Sequence, residues 1–329
     1  MERYLNPLLL LVAVVATMLS LASGTLELDV IPALGDWFSG SLTPQALIVG
    51  EIRLPRTLLA LVVGAAMGMS GAALQGLLRN PLVDPGLIGA SQGAALGAAL
   101  VFYFNLFSGL GALATPIAGL IGAALTLFIL MGLSGSMARP AIIIMAGLAI
   151  STLASALLAV VLNFAPNPYA MQELVFWLLG SVSNRGLDNL AVLLPAFALG
   201  SFMLLAQRRL LLGISLGEQV ADSMGLEVTR RGRYIVLGTA LLVGSSVAVA
   251  GNIGFVGLVV PHLLRPLVRY RPDRLLLPSA LAGAIVVLLA DILVRQLPPE
   301  RELKLGVLTA LVGAPFFVWL VWKERQRWL

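Results

Sequence analysis

Long apolar runs, each closed by charged or turn-forming residues, set the pattern of this chain. A helix needs about 20 residues to cross about 30 Å of hydrocarbon, because each residue rises about 1.5 Å. Runs of that order occupy 5–24, 55–78, 88–107, 110–133, 141–164, 188–207, 234–250, 275–295 and 303–322. A tenth run, 253–268, is shorter and carries Pro261 and His262. The stretch 170–182 is too short to span and predicts an interfacial helix. Trp37, Trp177, Trp319 and Trp322 stand at the edges of such segments, where an amphipathic ring suits the boundary between lipid and water. The longest polar connection, about 208–233, contains a short amphipathic segment from Leu216 to Met224, with Gly225 placed as a helix C-cap. It reads either as a solvated loop with a stray helix or as a docking helix for a partner on that side. The pattern as a whole predicts an all-α integral membrane protein, one domain over 1–329, built as a ten-span helical bundle.

Composition fits lipid as the solvent. Of 329 residues, 59% are hydrophobic and only 11% charged, with a mean hydropathy of +0.98. A soluble domain carries roughly 25% charged residues to cover its surface. The net charge of +5 does not point to nucleic acid, because the basic residues sit at the ends of apolar runs and form no stripe interleaved with aromatics. With ten crossings and a cytoplasmic N-terminus, fifteen of the 21 basic residues lie inside. The six outside are Arg53, Arg56, Arg185, Arg295, Arg301 and Lys304. That asymmetry predicts cytoplasmic N- and C-termini. Dropping the 253–268 run would move Lys323, Arg325 and Arg327 outside, so the tenth span is kept. The first run also has the look of a signal peptide, with Ser20 to Gly24 as a cleavage region. Its single early arginine is offset by Glu2, and the run is expected to be retained as a span.

Several classes of chemistry are closed to this sequence. It has no cysteine, so disulfides, thiolate metal sites and cysteine nucleophiles are excluded. A lone histidine, His262, cannot supply a His-cluster metal site. Nor is there a G-x-x-x-x-G-K-[ST] stretch, so ATP cannot bind through a P-loop here.

What remains is a short set of candidates. Gly64/Gly68 and Gly89/Gly93/Gly97 repeat at four-residue spacing, which lets helix backbones approach closely. Asp291 and Arg295, four apart, share a helix face near the outer end of a span. They form a structural pair, or they present Arg295 outward to something acidic. Arg53 and Arg56 open another span at the same surface. They either anchor that end at the interface or add to a rim that recognises carboxylates. Arg79-Asn80-Pro81 and the following Asp84-Pro85-Gly86 break the helix, as a plain turn or as a moving element. Gly68-Met69-Ser70-Gly71 matches the short serine motif of intramembrane proteases, with His262 as a candidate base. An ion-coupled secondary transporter would need mid-span acids, and only Asp291 comes close.

Taken together, several stretches resemble the permeases of ABC importers for iron–siderophore complexes, haem and cobalamin, the type II importers. The first runs from Arg53-Leu54-Pro55-Arg56 through Gly64, Gly71 and Gln75 to Arg79-Asn80-Pro81-Leu82, then Pro85, Gly89, Ser91 and Gly93-Ala94. The second is Gly251-Asn252-Ile253-Gly254-Phe255-Val256-Gly257-Leu258, continuing to Pro261, His262 and Arg265. A third joins Leu277-Pro278-Ser279, Gly283-Ala284, Asp291 and Arg295 to Glu302, Gly306 and Gly313-Ala314-Pro315-Phe316-Phe317. The likeness covers 50 to 320.

That resemblance implies a homodimer with its pathway on the two-fold axis, in the bacterial inner (cytoplasmic) membrane. Two cytoplasmic ATPase subunits would sit below and a periplasmic substrate-binding protein above, with no cofactor or metal in this chain. Arg53, Arg56 and Arg295 match the arginines that receive glutamates of the binding protein. Leu216, Gly217, Glu218, Ala221, Asp222, Met224, Gly225 and Leu226 match the cytoplasmic coupling segment, a helix at about 216–231. Arg139, Pro140 and Ala141 fall at the cytoplasmic gate, where similar permeases often carry small polar residues that this chain lacks. Arg79, Asn80, Pro81, Pro261, His262 and Asp291 belong to the shared structural motifs. The implied function is import of a bulky metal chelate by alternating access, iron–siderophore first and haem or cobalamin next.

Overall fold

The computed structural model describes residues 2–24, 26–41, 43–104, 106–135, 140–165, 168–297 and 303–328. Every regular element among them is helical. In chain order they are α1 (Glu2–Ala22), α2 (Val30–Phe38) and α3 (Pro44–Leu47), which runs through a π-helical stretch, Ile48–Arg53, into α4 (Leu54–Leu77). Then come α5 (Ala90–Phe104), α6 (Ala114–Ser134), α7 (Pro140–Asn163), α8 (Pro168–Leu178), α9 (Leu187–Ala206), α10 (Arg208–Ser215) and α11 (Glu218–Ser223). The chain finishes with α12 (Val228–Ala250), α13 (Val256–Leu264), α14 (Pro272–Arg295) and α15 (Leu305–Trp328).

Among the described residues, eight helical segments are long and apolar enough to cross a membrane. Two of the ten apolar runs fall short. The run at 88–107 yields a 15-residue α5 behind a 3-10 turn at Pro85–Ile88. The run at 253–268 yields the nine-residue α13, extended by a 3-10 turn at Arg265–Val268. Fifteen residues of helix reach only about 22 Å. Both short elements are largely buried among their neighbours, and protein contacts there can satisfy backbone groups that lipid could not.

α4 is the hub. Nearly all of its length is buried, and it packs against α14, α12, α13, α9 and α1. Around it stand α6, α7, α9 and α15, which leave Phe128, Met145, Phe202 and Val318 exposed. Apolar side chains on an outer surface of this extent suit lipid contact. The glycine spacing in α4 has a direct counterpart: a Cβ on Gly64 would collide with the Gly283 carbonyl, and one on Gly68 with the Ser279 carbonyl. Gly93 and Gly97 stand in the same relation to Gly122 and Ala118 on α6. Backbone approach this close is the packing that lipid-embedded bundles use in place of a hydrophobic driving force.

The first 50 residues hold structure that periodicity does not announce. α2 folds back so that Trp37 covers Gly50, where a side chain would have no room, and its indole N–H donates to Glu51 Oε1 at 3.1 Å. The π-helical register ahead of α4 has a local cause. Leu54 N–H donates to Val49 O, five residues back, and Pro55 follows without an N–H of its own.

Candidate functional site

Three arginines and one aspartate meet where α1 and α14 end and α4 begins. Asp291 on α14 is almost fully enclosed, 1% exposed. Arg56 grips it with both ends of its fork: Nε donates to Oδ1 and Oδ2 at 3.0 and 3.1 Å, and Nη2 donates to Oδ1 at 2.8 Å. Arg295, one turn along α14, donates to Oδ2 through Nε at 2.8 Å and also through Nη2. Its remaining donors reach the end of α1, at Ser20 O (2.8 Å), Ser20 Oγ (3.2 Å) and Ser23 O (3.3 Å). Among the described residues Arg53 has no carboxylate within ion-pair reach. It donates instead to the carbonyls of Leu21 and Ala22 at 3.0 Å and of Leu26 at 2.5 Å. These carbonyls, at and just beyond the C-terminus of α1, lack intrahelical donors, and a guanidinium suits their partial negative charge.

A rim of three outward arginines is therefore corrected in detail. The three share one end of the bundle, but Arg53 is 5% exposed and turned inward, and Arg295 is buried with it. Burial follows from bonding, since each guanidinium finds chain oxygens within reach and loses fewer hydrogen bonds inside than its charge alone suggests. Arg56 keeps the most open side chain of the ion pair, at 19%.

At the opposite end lies the connection between α9 and α12. α10 and α11 fill most of it, and Gly217, with φ of +122°, makes the break between them. A single helix over 216–231 is thus replaced by short α11, and α12 begins only at Val228. α11 ends as its glycine implies. Gly225 sits at φ +71°, Leu226 N–H donates to Ala221 O at 3.1 Å, and Gly225 N–H donates to Asp222 O at 2.9 Å. This is the Schellman arrangement, with Ala221 and Leu226 buried against Gly213 of α10. The outer face carries Leu216 and Met224, 62% and 59% exposed, with Val220 between them. Asp222 Oδ1 accepts from Val228 N–H at 3.1 Å and so caps α12.

Glu218 links this segment to the core. Its Oε1 lies 3.4 Å from Arg79 Nη2. Arg79 itself ends α4 in the same Schellman pattern, with Asn80 N–H donating to Gln75 O, and takes φ +51° where a glycine is usual. The polar stretch after it is two side-chain-capped turns: Asn80 Oδ1 accepts from Leu82 N–H at 2.9 Å and Asp84 Oδ1 from Gly86 N–H at 2.7 Å. Burial pushes the Asp84 carboxyl up, and the Gly86 N–H pulls it partly back.

Gln75 is the residue that sequence reasoning undervalued. Its side chain is buried in α4, with Nε2 3.3 Å from the carbonyls of Val83, Gly257 and Leu258, and Oε1 accepting from Arg265 Nη2 at 2.9 Å. One amide thus ties α4, the turn and α13 together. The available signal was a lone carboxamide inside an apolar run. Arg185, in the loop ahead of α9, was read only for its charge. Its Nε has no hydrogen-bond partner among the described residues.

Ser70 lies wholly buried in α4, and the His262 ring packs edge-on against Phe316 at 6.0 Å, with Pro261 buried beside it. Of the three residues expected at the gate, Arg139 lies outside the described residues, and Pro140 and Ala141 open α7.

Three comparisons bear on this arrangement. The profile of the FecCD transport family matches residues 10–323. The vitamin B12 import system permease protein BtuC of Citrobacter koseri is 38% identical over 327 residues, covering 98% of this chain and 95% of its own. The protein of the same name from Salmonella typhi is 39% identical over 329 residues, covering 98% and 96%. A solved structure, described as an inward-facing conformation of a metal-chelate type ABC transporter, superposes with a TM-score of 0.81 at 33% identity. It covers 98% of this chain and all of the other.

Proposed function

Because the chain belongs to the FecCD transport family, we propose that it imports cobalamin or a closely related corrinoid across the bacterial inner membrane. The coarser part needs no proposal: the chain is a multi-pass permease subunit of a metal-chelate or cobalamin type ABC importer, ATP hydrolysis is done by a separate ATPase, and a substrate-binding protein delivers cargo. That membership sets aside both the intramembrane protease built on Ser70 and His262 and the ion-coupled transporter. The single observation that carries the cargo reading is identity of 38–39% over 98% of the chain to permeases named for vitamin B12 import. This puts cobalamin ahead of the iron–siderophore complex that the resemblance alone had placed first, with haem behind both. An iron–siderophore cargo keeps support from the metal-chelate description of the solved structure.

The mechanism we infer is alternating access in a homodimer of ten-span subunits, with α5 and the α13 segment as short spans, both termini cytoplasmic and two ATPase subunits below. The exposed Leu216, Val220 and Met224 on the coupling segment give each ATPase an apolar face to grip. A push there travels through Glu218 and Arg79 to the end of α4, the hub of the bundle. At the outer end, Arg56 is the arginine best placed to meet a carboxylate of the binding protein, with Arg53 and Arg295 holding α1 and Asp291 behind it. A strain lacking this gene, supplied with labelled cobalamin or a labelled iron–siderophore complex, tests the cargo. Restored cobalamin uptake on complementation is expected. Restored siderophore uptake without cobalamin uptake would overturn that choice and leave the permease assignment standing.

A further inference from the structure

α9 and α12 cross at a pair of glycines. A Cβ on Gly200 would meet the Gly238 carbonyl at 2.9 Å, and one on Gly238 the Gly200 carbonyl at 3.0 Å. Ala206 lies about 9 Å beyond Gly200 along α9, toward the end that carries the coupling segment. There the two helices line an open groove of ≈ 360 Å³. Ala206 and Gln207 form one wall, and Glu227, Arg230, Arg231 and Tyr234 form the other. The groove sits at the root of the coupling segment, because the chain leaves α9 at Gln207 and enters α12 at Val228.

Charge and apolar surface meet in it. Glu227 and Arg230 pair at 3.3 Å. The partly buried Arg231 has neither an ion pair nor a side-chain hydrogen bond among the described residues, so it leaves the lining positive by one. Arg208 and Arg209, next along the chain from Gln207, are exposed and carry the same sign. The α9 wall is continuous with the surface that faces lipid. Leu199, Phe202 and Ala206 follow one another at helical spacing, and all three are exposed. Tyr234, exposed one turn along α12 from Arg230, adds the amphipathic ring that suits the membrane boundary.

We propose that the groove between the end of α9 and the start of α12 binds an anionic phospholipid, its phosphate against Arg231 and an acyl chain along Phe202 and Leu199. Basic pockets between helices on the cytoplasmic side hold anionic headgroups in this way. An acidic segment of the ATPase would match the charge but not the apolar strip that leaves the groove. The bound lipid bridges the two points from which the coupling segment hangs, and so steadies its root against a push on α11. The inference rests on the cytoplasmic placement of this end given above.

The test uses the intact transporter purified with its ATPase, delipidated, then titrated with phosphatidylglycerol or phosphatidylcholine and read by native mass spectrometry. Wild type should retain phosphatidylglycerol in preference to phosphatidylcholine. Arg231→Gln should retain it about fivefold more weakly, from about 1 kcal/mol for one arginine. Glu227→Gln removes the acid that engages Arg230 and should retain the lipid more tightly, a gain that misfolding cannot produce. Ala206→Trp, which fills the groove without changing charge, should weaken retention. Equal retention of the two lipids, an unchanged Arg231→Gln or a Glu227→Gln that gains nothing overturns the proposal. So does an equal loss in Lys323→Gln, at the exposed end of α15, which would mean unspecific charge. Retention that appears only once the ATPase is stripped away would assign the groove to that subunit instead. Displacement of the lipid by equimolar inorganic phosphate would mark a phosphate site and overturn the lipid assignment. Because the chain has no cysteine, Ser223→Cys on the exposed side of α11 can be labelled with an impermeant maleimide from either face. Labelling only from outside would reverse the orientation while leaving the lipid titration to stand by itself.

Discussion

Arg56 and Asp291 are 235 positions apart and meet through three hydrogen bonds of 2.8 to 3.1 Å. Spacing along α14 pairs Asp291 with Arg295 only. The fold adds Arg56 from α4, so one carboxylate ties the hub helix to its closest partner, and through Arg295 to the end of α1. Breaking this centre from the acidic side should be costly. In Asp291→Asn, Arg295 stays buried and loses its only carboxylate among the described residues. Removing one partner of a buried pair costs about 3–5 kcal/mol; because Arg56 remains partly open to solvent, the low end is expected. Arg56→Gln should cost clearly less, since Asp291 keeps Arg295. Thermal unfolding of the two variants in the same detergent gives the comparison, and equal midpoints would contradict the shared-carboxylate account.

The contact between α4 and α14 leaves no room for a side chain at its crossing. Gly64→Ala should destabilise by about 1–3 kcal/mol through overpacking against the Gly283 carbonyl. Gly35→Ala, where a Cβ meets open space, should be close to neutral. A folding assay that ranks the two the other way would remove the close-packing explanation.

Gln75→Leu keeps the volume and deletes the amide. The Arg265 guanidinium then loses an acceptor, and the carbonyls of Val83, Gly257 and Leu258 lose a shared donor. About 1–3 kcal/mol is expected for groups left unsatisfied on burial. Gln75→Glu should lie between, because its carboxylate still accepts from Arg265 and cannot donate. Unfolding midpoints of the two variants order the three side chains.

Leu216→Ser/Met224→Ser alters only exposed side chains, so the fold should survive with a midpoint close to wild type. Under the proposed docking, transport should nevertheless fall together with substrate-stimulated ATP hydrolysis, since of the apolar face only Val220 is left. Full transport activity in this variant would place the contact elsewhere.

Asp84 carries the acid–base prediction. Burial raises its carboxyl above the ordinary range, so the fold favours the protonated form. The sign follows: relative to Asp84→Asn, wild type should be as stable at acid pH and lose ground as pH rises through and above the ordinary carboxylate range. Asparagine can still accept from Gly86 N–H, so the turn survives. Unfolding midpoints of the pair at acid and neutral pH measure the gap, and a gap that widens toward acid would reverse the assignment.

Much of the membrane architecture was legible in the residue pattern, for a physical reason. Lipid demands runs of apolar residues of a fixed length, and charge asymmetry at their ends is a local property. The eight long helices, the Schellman end of α11 at Gly225 and the close-packing glycines all follow from local spacing. Family membership was likewise written in ordered strings such as Arg79-Asn80-Pro81-Leu82. The structure alone decided that helix α5 is only fifteen residues long and that α5 and α13 are shielded by neighbours that no window of sequence contains. It also decided where charge points. An arginine beside an apolar run reads as outward from its position, yet Arg53 turns inward because the carbonyls of Leu21, Ala22 and Leu26 arrive from the end of α1 and the turn beyond it. Partners brought together by long-range packing set the burial of Arg53 and the pairing of Arg56 with Asp291, and neither is encoded within a single turn.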